Sequence, residues 1–207
     1  MPEFSSAWNM FYESYFGDPY MAWHDGLDEQ ALLSLTGEER DEAERLLLAA
    51  AASGSTDYRV AAGLRSLRSH KALDLLKQRL ESAQGRDRVE TALGLWQMEE
   101  YAPAIAAING VLHSAAFWGD RLDAARALAH VPTQDSVNAL LEALHDPQDL
   151  VRYHAAASLL KMHGEYRPDG LDTDPLAIEL MSDDEAERKT ALETLHERIR
   201  GKQLVQG

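Results

Sequence analysis

The chain has 207 residues, no cysteine, and 35 acidic against 20 basic side chains, a net charge of −15. Disulfides, thiolate metal sites and cysteine nucleophiles are thereby excluded, and an acidic surface repels a phosphate backbone while attracting basic partners. Nucleic acid is therefore not an expected partner. No run reaches the roughly 18 apolar residues of a membrane span, and the N-terminus lacks the basic-then-apolar order of a signal peptide, so a cytoplasmic protein without membrane contact is expected. The charge is uneven: residues 1–50 hold 11 acids and 2 bases, residues 51–112 hold 7 and 8, and residues 113–207 hold 17 and 10.

Eight of the 15 aromatic residues fall within residues 1–23: Phe4, Trp8, Phe11, Tyr12, Tyr15, Phe16, Tyr20 and Trp23. The first six advance by threes and fours, as on a helix face. Two readings stay open. They form a cap that covers the end of a helical stack, or a patch that anchors a partner, a role for which Trp and Tyr are suited. Gly17-Asp18-Pro19 ends that helix, and Asp25-Gly26 leads into a short one over Leu27 to Leu35. Thr36 and Glu39 have capping-box spacing at the start of a helix that runs through Leu46, Leu47 and Leu48 to Gly54.

From there a period of about thirty residues emerges. An arginine recurs near the start of every second helix, at Arg59, Arg88, Arg121, Arg152 and Arg188. Four residues on stand Gly63, Ala92, Ala125, Ala156 and Leu192, and seven on stand Ser66, Leu95, Leu128, Leu159 and Leu195. A small residue followed one turn later by a leucine lets neighbouring helices approach and interlock; in the first repeat Leu64 and Leu67 replace Ser66. The helix pairs predicted are 39–67, 70–98, 102–131, 134–164 and 174–200, the last delayed by the turn-rich stretch 165–175. In 137–164, Val137, Leu140, Leu141 and Leu144 form one stripe and Val151, Ala155, Leu159 and Met162 the next. Asp146 reads as the N-cap between them, with Pro147 as the first helical residue, and Gly164 as the stop.

The small-residue–leucine pattern, the aspartate ahead of each arginine and the period together resemble the HEAT-like repeat family over residues 39–200. The resemblance implies an all-α solenoid of about five helix pairs. The expected organisation is a single domain over 1–207, with an N-terminal helical cap over 1–38, repeats over 39–200 and a tail over 201–207. It also implies a structural arginine ladder, each arginine bonding an aspartate across successive pairs, with Asp57, Asp87, Asp120, Asp149 and Asp184 as partners. The competing reading of the five arginines is a row that binds anions.

No histidine pairs with another ligand at HExxH spacing, and there is no P-loop, nucleophile elbow or dinucleotide turn. No catalytic residue, metal or cofactor is assigned. The expected function is non-catalytic protein binding on a concave face lined by the second helices. Helical periodicity places Glu90, Gln97, Asp123, His130, His154 and Lys161 there, with Tyr153 beside them. Phe117 and Trp118, apolar residues in a turn, either tuck into the core or stand out as an anchor. Bases clustered from Arg65 to Arg88 read as a solvated surface or as a contact for an acidic patch. The partner expected is a protein with a basic surface, and the chain a monomer when free. Small acidic bacterial proteins of this kind resemble immunity proteins, which occlude the active site of a cognate toxin. The alternative is an enzyme or small-molecule binder, lyase-like, with a pocket on the concave face or where cap meets repeats.

Overall fold

A computed structural model describes residues 4–205 apart from the side chain of Trp23, so that member of the aromatic set and the outermost residues of the expected cap and tail lie outside the described residues. The described chain is all-α, thirteen α-helices and one 3-10 turn with no strand. It divides into two compact units, Met1–Tyr101 and Ala102–Gly207.

The first unit contains α1 (Ser6–Phe16), α2 (Pro19–Asp25), α3 (Glu29–Ser34), α4 (Gly37–Ala52), α5 (Tyr58–Ser66), α6 (Leu73–Leu80) and α7 (Gly85–Glu99), with the 3-10 turn at His70–Ala72 ahead of α6. Short polar residues start several of these helices: Ser5 accepts from the Trp8 N–H, Asp18 from Tyr20, Asp28 from Ala31 and Asp57 from Arg59. The helix α2 is an addition to the sequence reading, which placed only a break at Gly17-Asp18-Pro19. Pro19 is the first helical residue of α2, where its missing N–H costs nothing.

The capping box predicted at Thr36 does not form, since the Thr36 side chain makes no cap bond. Glu39 instead accepts from the backbone N–H of Ser5 at 2.6 Å and from its hydroxyl at 2.7 Å, tying the start of α1 to α4. Trp8, Phe11 and Tyr15 are buried, and α1 packs on α3 and α5. At Gly63, a β-carbon would come within 2.9 Å of Leu47 and 3.0 Å of Tyr15, so the small residue is what admits both side chains.

The second unit contains α8 (Pro103–Ser114), α9 (Trp118–Leu128), α10 (Gln134–Ala143), α11 (Asp149–Met162), α12 (Pro175–Glu179) and α13 (Glu185–Ile199). Each of α8/α9, α10/α11 and α12/α13 packs as a pair, and α11 packs on α9. The core rows are as the periodicity predicts: Leu128, Leu140, Leu159 and Leu195 have no exposed surface, and Ala125, Ala155 and Ala156 lie beside them with none. Gly164 has φ +66° and ends α11. Asp146 is not the N-cap of α11, a position taken by Gln148 without a side-chain bond.

The stretch 165–175 is tied down by one carboxylate. Asp174, fully buried, accepts from the N–H groups of Arg167 and Leu176 and from both terminal nitrogens of Arg198. Arg198 also donates to the Glu165 carbonyl, and Lys202 pairs with the Glu165 carboxylate at 2.6 Å. The Val205 N–H reaches the Met162 carbonyl at 2.7 Å, which holds the chain after α13 against the end of α11.

Candidate protein-interaction surfaces

The five recurrent arginines face backbone more than aspartate. Arg88 donates to the carbonyls of Leu80 and Ala83, Arg121 to Ala115 and Ala116, Arg152 to Asp146 and Pro147, and Arg188 to Ser182. In each case the acceptor sits five to eight residues earlier, in or near the turn that ends the preceding helix. Arg152 adds the carbonyls of Leu180 and Met181 from the next pair, and Arg59 adds those of Ser14 and Gly17 from the N-terminal segment. Helix C-termini leave carbonyls without an intrahelical donor, and a guanidinium with five N–H groups satisfies several at once.

The expected aspartate ladder is corrected accordingly. Asp57 pairs with its assigned arginine, Arg59, at 2.6 Å. Asp87 pairs with Arg79 rather than Arg88, and Arg121 takes Asp146 rather than Asp120. Asp149 accepts from Leu150, and Asp184 caps α13. The arginines are thus structural, and their charge is turned inward, which does not suit a row of anion sites.

Most of the bases from Arg65 to Arg88 likewise find partners inside their own unit. Arg65 bridges Glu29 at 2.8 Å and Glu90 at 3.0 Å. Lys71 pairs with Glu44, Lys77 with Glu99 and Arg79 with Asp87, while Arg68 donates to the Gln97 carbonyl and Arg86 lies 3.9 Å over the Tyr58 ring. The island offers little free positive charge, and residues 1–50 keep their large carboxylate excess.

Among the positions predicted to line the second-helix ridge, Glu90 is occupied by Arg65 and is mostly buried. Gln97 is half-buried in the same unit. In the second unit Asp123 lies on α9 and His130 in the turn just past its end, and Tyr153, His154 and Lys161 lie along α11, with His130 and Lys161 exposed. Tyr153 meets His154 edge-on at 4.9 Å, and the Lys161 ammonium lies 4.6 Å over the Tyr166 ring. Burial, with the charges of Arg126 and Lys161, pushes His154 down to about 4. The sequence reading missed Arg126 and Tyr166. Arg126 lies five residues past Arg121, on the face of Asp123 and His130, and could have been included by periodicity. Tyr166 sits in an irregular stretch and could not.

The aromatic N-terminus has two faces. Rings stack from Phe4 to Trp8 at 4.5 Å and from Trp8 to Tyr12 at 6.5 Å, and Tyr12 meets Phe16 at a tilt, 5.5 Å away. Trp8, Phe11 and Tyr15 point inward, whereas Phe4, Met10, Tyr12, Tyr20 and Met21 are between 48% and 61% exposed. Large apolar side chains exposed on and beside two successive helices are the kind of feature a protein partner can cover. Phe117 and Trp118 also stand out, at 53% and 38% exposure, rather than filling the core. A groove of about 580 Å³ lies at the α4–α5 and α6–α7 turns, lined in part by Ala51, Thr56, Gln78, Arg79 and Asp87. Its charged side chains, Arg79 and Asp87, are spent on each other at 2.6 Å.

Among the described residues no three His, Asp or Glu side chains are placed to hold a metal ion, and no helix is long and apolar enough to cross a membrane. Stacked helix pairs with turns fastened by arginine define a helical-repeat scaffold, a class built for binding rather than for one reaction. Residues 105–196, from α8 into α13, match the family model described as HEAT repeats, in line with the resemblance read from the sequence. None of the curated proteins searched matches the chain.

Proposed function

We propose that the chain is a non-catalytic scaffold that binds a basic protein partner, and that it serves as an immunity-type inhibitor that occludes the active site of a cognate bacterial toxin. One observation carries the reading: the exposed face of Phe4, Met10, Tyr12, Tyr20 and Met21 stands on the most acidic part of the chain. Aromatic anchors supply contact area at small entropic cost, and surrounding carboxylates steer a basic protein to them. Of the carboxylates in residues 1–50, the bases from Arg65 to Arg88 take up Glu29 and Glu44, through Arg65 and Lys71, so most of the acidic excess of that segment remains, which supports the reading. Asp123, Gln97 and His130 on the second helices, with Phe117 and Trp118, are further proposed contacts, while Glu90 acts through its bond to Arg65.

The test pairs capture with protection. The immobilised chain is expected to retain a basic protein that salt releases, and co-expression of the chain should abolish the toxicity of that protein. A retained partner that is acidic or indifferent to salt would overturn the electrostatic reading, and unrelieved toxicity would overturn the immunity reading.

A further inference from the structure

In a chain of net charge −15, Arg126 on α9 and Lys161 on α11 are exposed cations with no carboxylate ion pair among the described residues, and the charge of each bears on the imidazole of His154. The helices that carry them pack directly on each other. Lys161 lies seven residues beyond His154, two turns along the same face of α11. Its ammonium is held over the Tyr166 ring at 4.6 Å, and the Tyr166 hydroxyl donates to the Asp172 carbonyl at 2.9 Å, which fixes that ring. Tyr153 and His154 meet edge-on beside it. Both cationic side chains are exposed, so they lie open to a ligand while their surroundings are ordered. Asp123, one turn before Arg126, is the nearest acid on that helix in sequence.

We infer that Arg126, Lys161 and the His154 imidazole form a site for an oxyanion, a phosphate or a carboxylate, on the second-helix face of the unit Ala102–Gly207. Arg126 offers a forked donor and Lys161 a point charge, with the Tyr153 ring beside His154 and the Tyr166 ring under Lys161. Protonation of His154 would add a third positive charge, but the two cations already present and its burial oppose that while the site is empty. A bound anion reverses the balance, so His154 takes up a proton more readily when the site is filled. The site requires no basic partner elsewhere, and it stands or falls separately from the toxin reading.

Nuclear magnetic resonance of the His154 ring in the intact chain tests this at constant ionic strength, with chloride as the reference anion. Sulfate, which stays charged throughout the titration, should raise the His154 midpoint from about 4 by about one unit, as a nearby opposite charge does. At neutral pH, inorganic phosphate and succinate serve as separate arms, and the one that shifts the Lys161 and Tyr166 signals at lower concentration identifies the preferred oxyanion. The double variant Arg126→Gln, Lys161→Gln should raise the His154 midpoint without any anion and lose the response to sulfate. An unmoved midpoint in the unaltered chain overturns the site, and so does a sulfate response that survives in the double variant.

Discussion

Arg121 and Asp146 form a two-point ion pair, Nε to one carboxylate oxygen at 2.7 Å and Nη2 to the other at 3.0 Å. It joins the first turn of α9 to the turn ahead of α11, and both side chains are nearly buried. Burial alone would raise the Asp146 pKa. The Arg121 guanidinium and the Gln148 N–H outweigh it and hold the carboxyl below the ordinary aspartate range. A carboxylate depressed on folding contributes stability that is complete above its unfolded pKa and fades as the pH falls through its folded one. Asp146→Asn should therefore cost about 3 kcal/mol at neutral pH, the scale for breaking an enclosed pair. The gap between variant and parent should close in acid below about pH 4. Chemical denaturation across pH checks both statements, and an equal gap in acid would show that the pair does not act through charge.

Leu128 has no exposed surface and sits in the repeated leucine row of the second helices. Truncation to alanine should cost about 2–5 kcal/mol, the range for buried leucines. A loss under about 0.5 kcal/mol, as on a surface, would place the repeat register elsewhere.

The two faces of the N-terminal segment should separate in mutation. Phe11→Ala removes a fully buried ring and should destabilise the chain by about 3–5 kcal/mol. Tyr12→Ser with Tyr20→Ser, both at exposed rings, should change stability by less than about 1 kcal/mol in sum. The same double variant should weaken partner binding at least tenfold, about 1.4 kcal/mol. Binding that survives with full strength would move the interface to Phe117 and Trp118 or to the second-helix ridge.

His154 gives a second pH signature, of the same sign as Asp146 and at higher pH. Its folded pKa of about 4 lies below the ordinary histidine value, so the unfolded chain binds the extra proton first. Its contribution to stability is complete above about pH 6.5 and is lost as the pH falls toward 4. His154→Gln should flatten the pH dependence of unfolding within that window. A profile unchanged by the substitution would mean that the imidazole is as solvated in the folded chain as in the unfolded one.

Much of the fold was legible because it is written locally. Helix periodicity, the small residue four positions after each arginine and the leucine seven after are short-range patterns, and α5, α7, α9, α11 and α13 lie where those patterns put them. The N-terminal aromatic row was visible for the same reason, although its division between inner and outer rings was not. Burial of Phe11 and exposure of Tyr12 depend on where α3 and α5 lie, and those helices are brought to α1 only by folding.

Partner choice among charged groups was the part that sequence by itself did not determine. Asp87 stands next to Arg88 yet binds Arg79, and Glu39 leaves its own helix start to hold Ser5, 34 residues earlier. A guanidinium reaches whatever acceptor the packed helices carry to it, and turn carbonyls that lack an intrahelical donor compete for it as strongly as aspartates do. The convergence of Arg126 and Lys161 on His154 has the same origin. Their helices are successive second helices of the stack, and side chains 35 residues apart come to act on one ring only because α11 packs on α9. Sequence determined the repeat, its period and its apolar rows; the tertiary structure decided which charges pair with which, because electrostatic neighbours are set by distance in space.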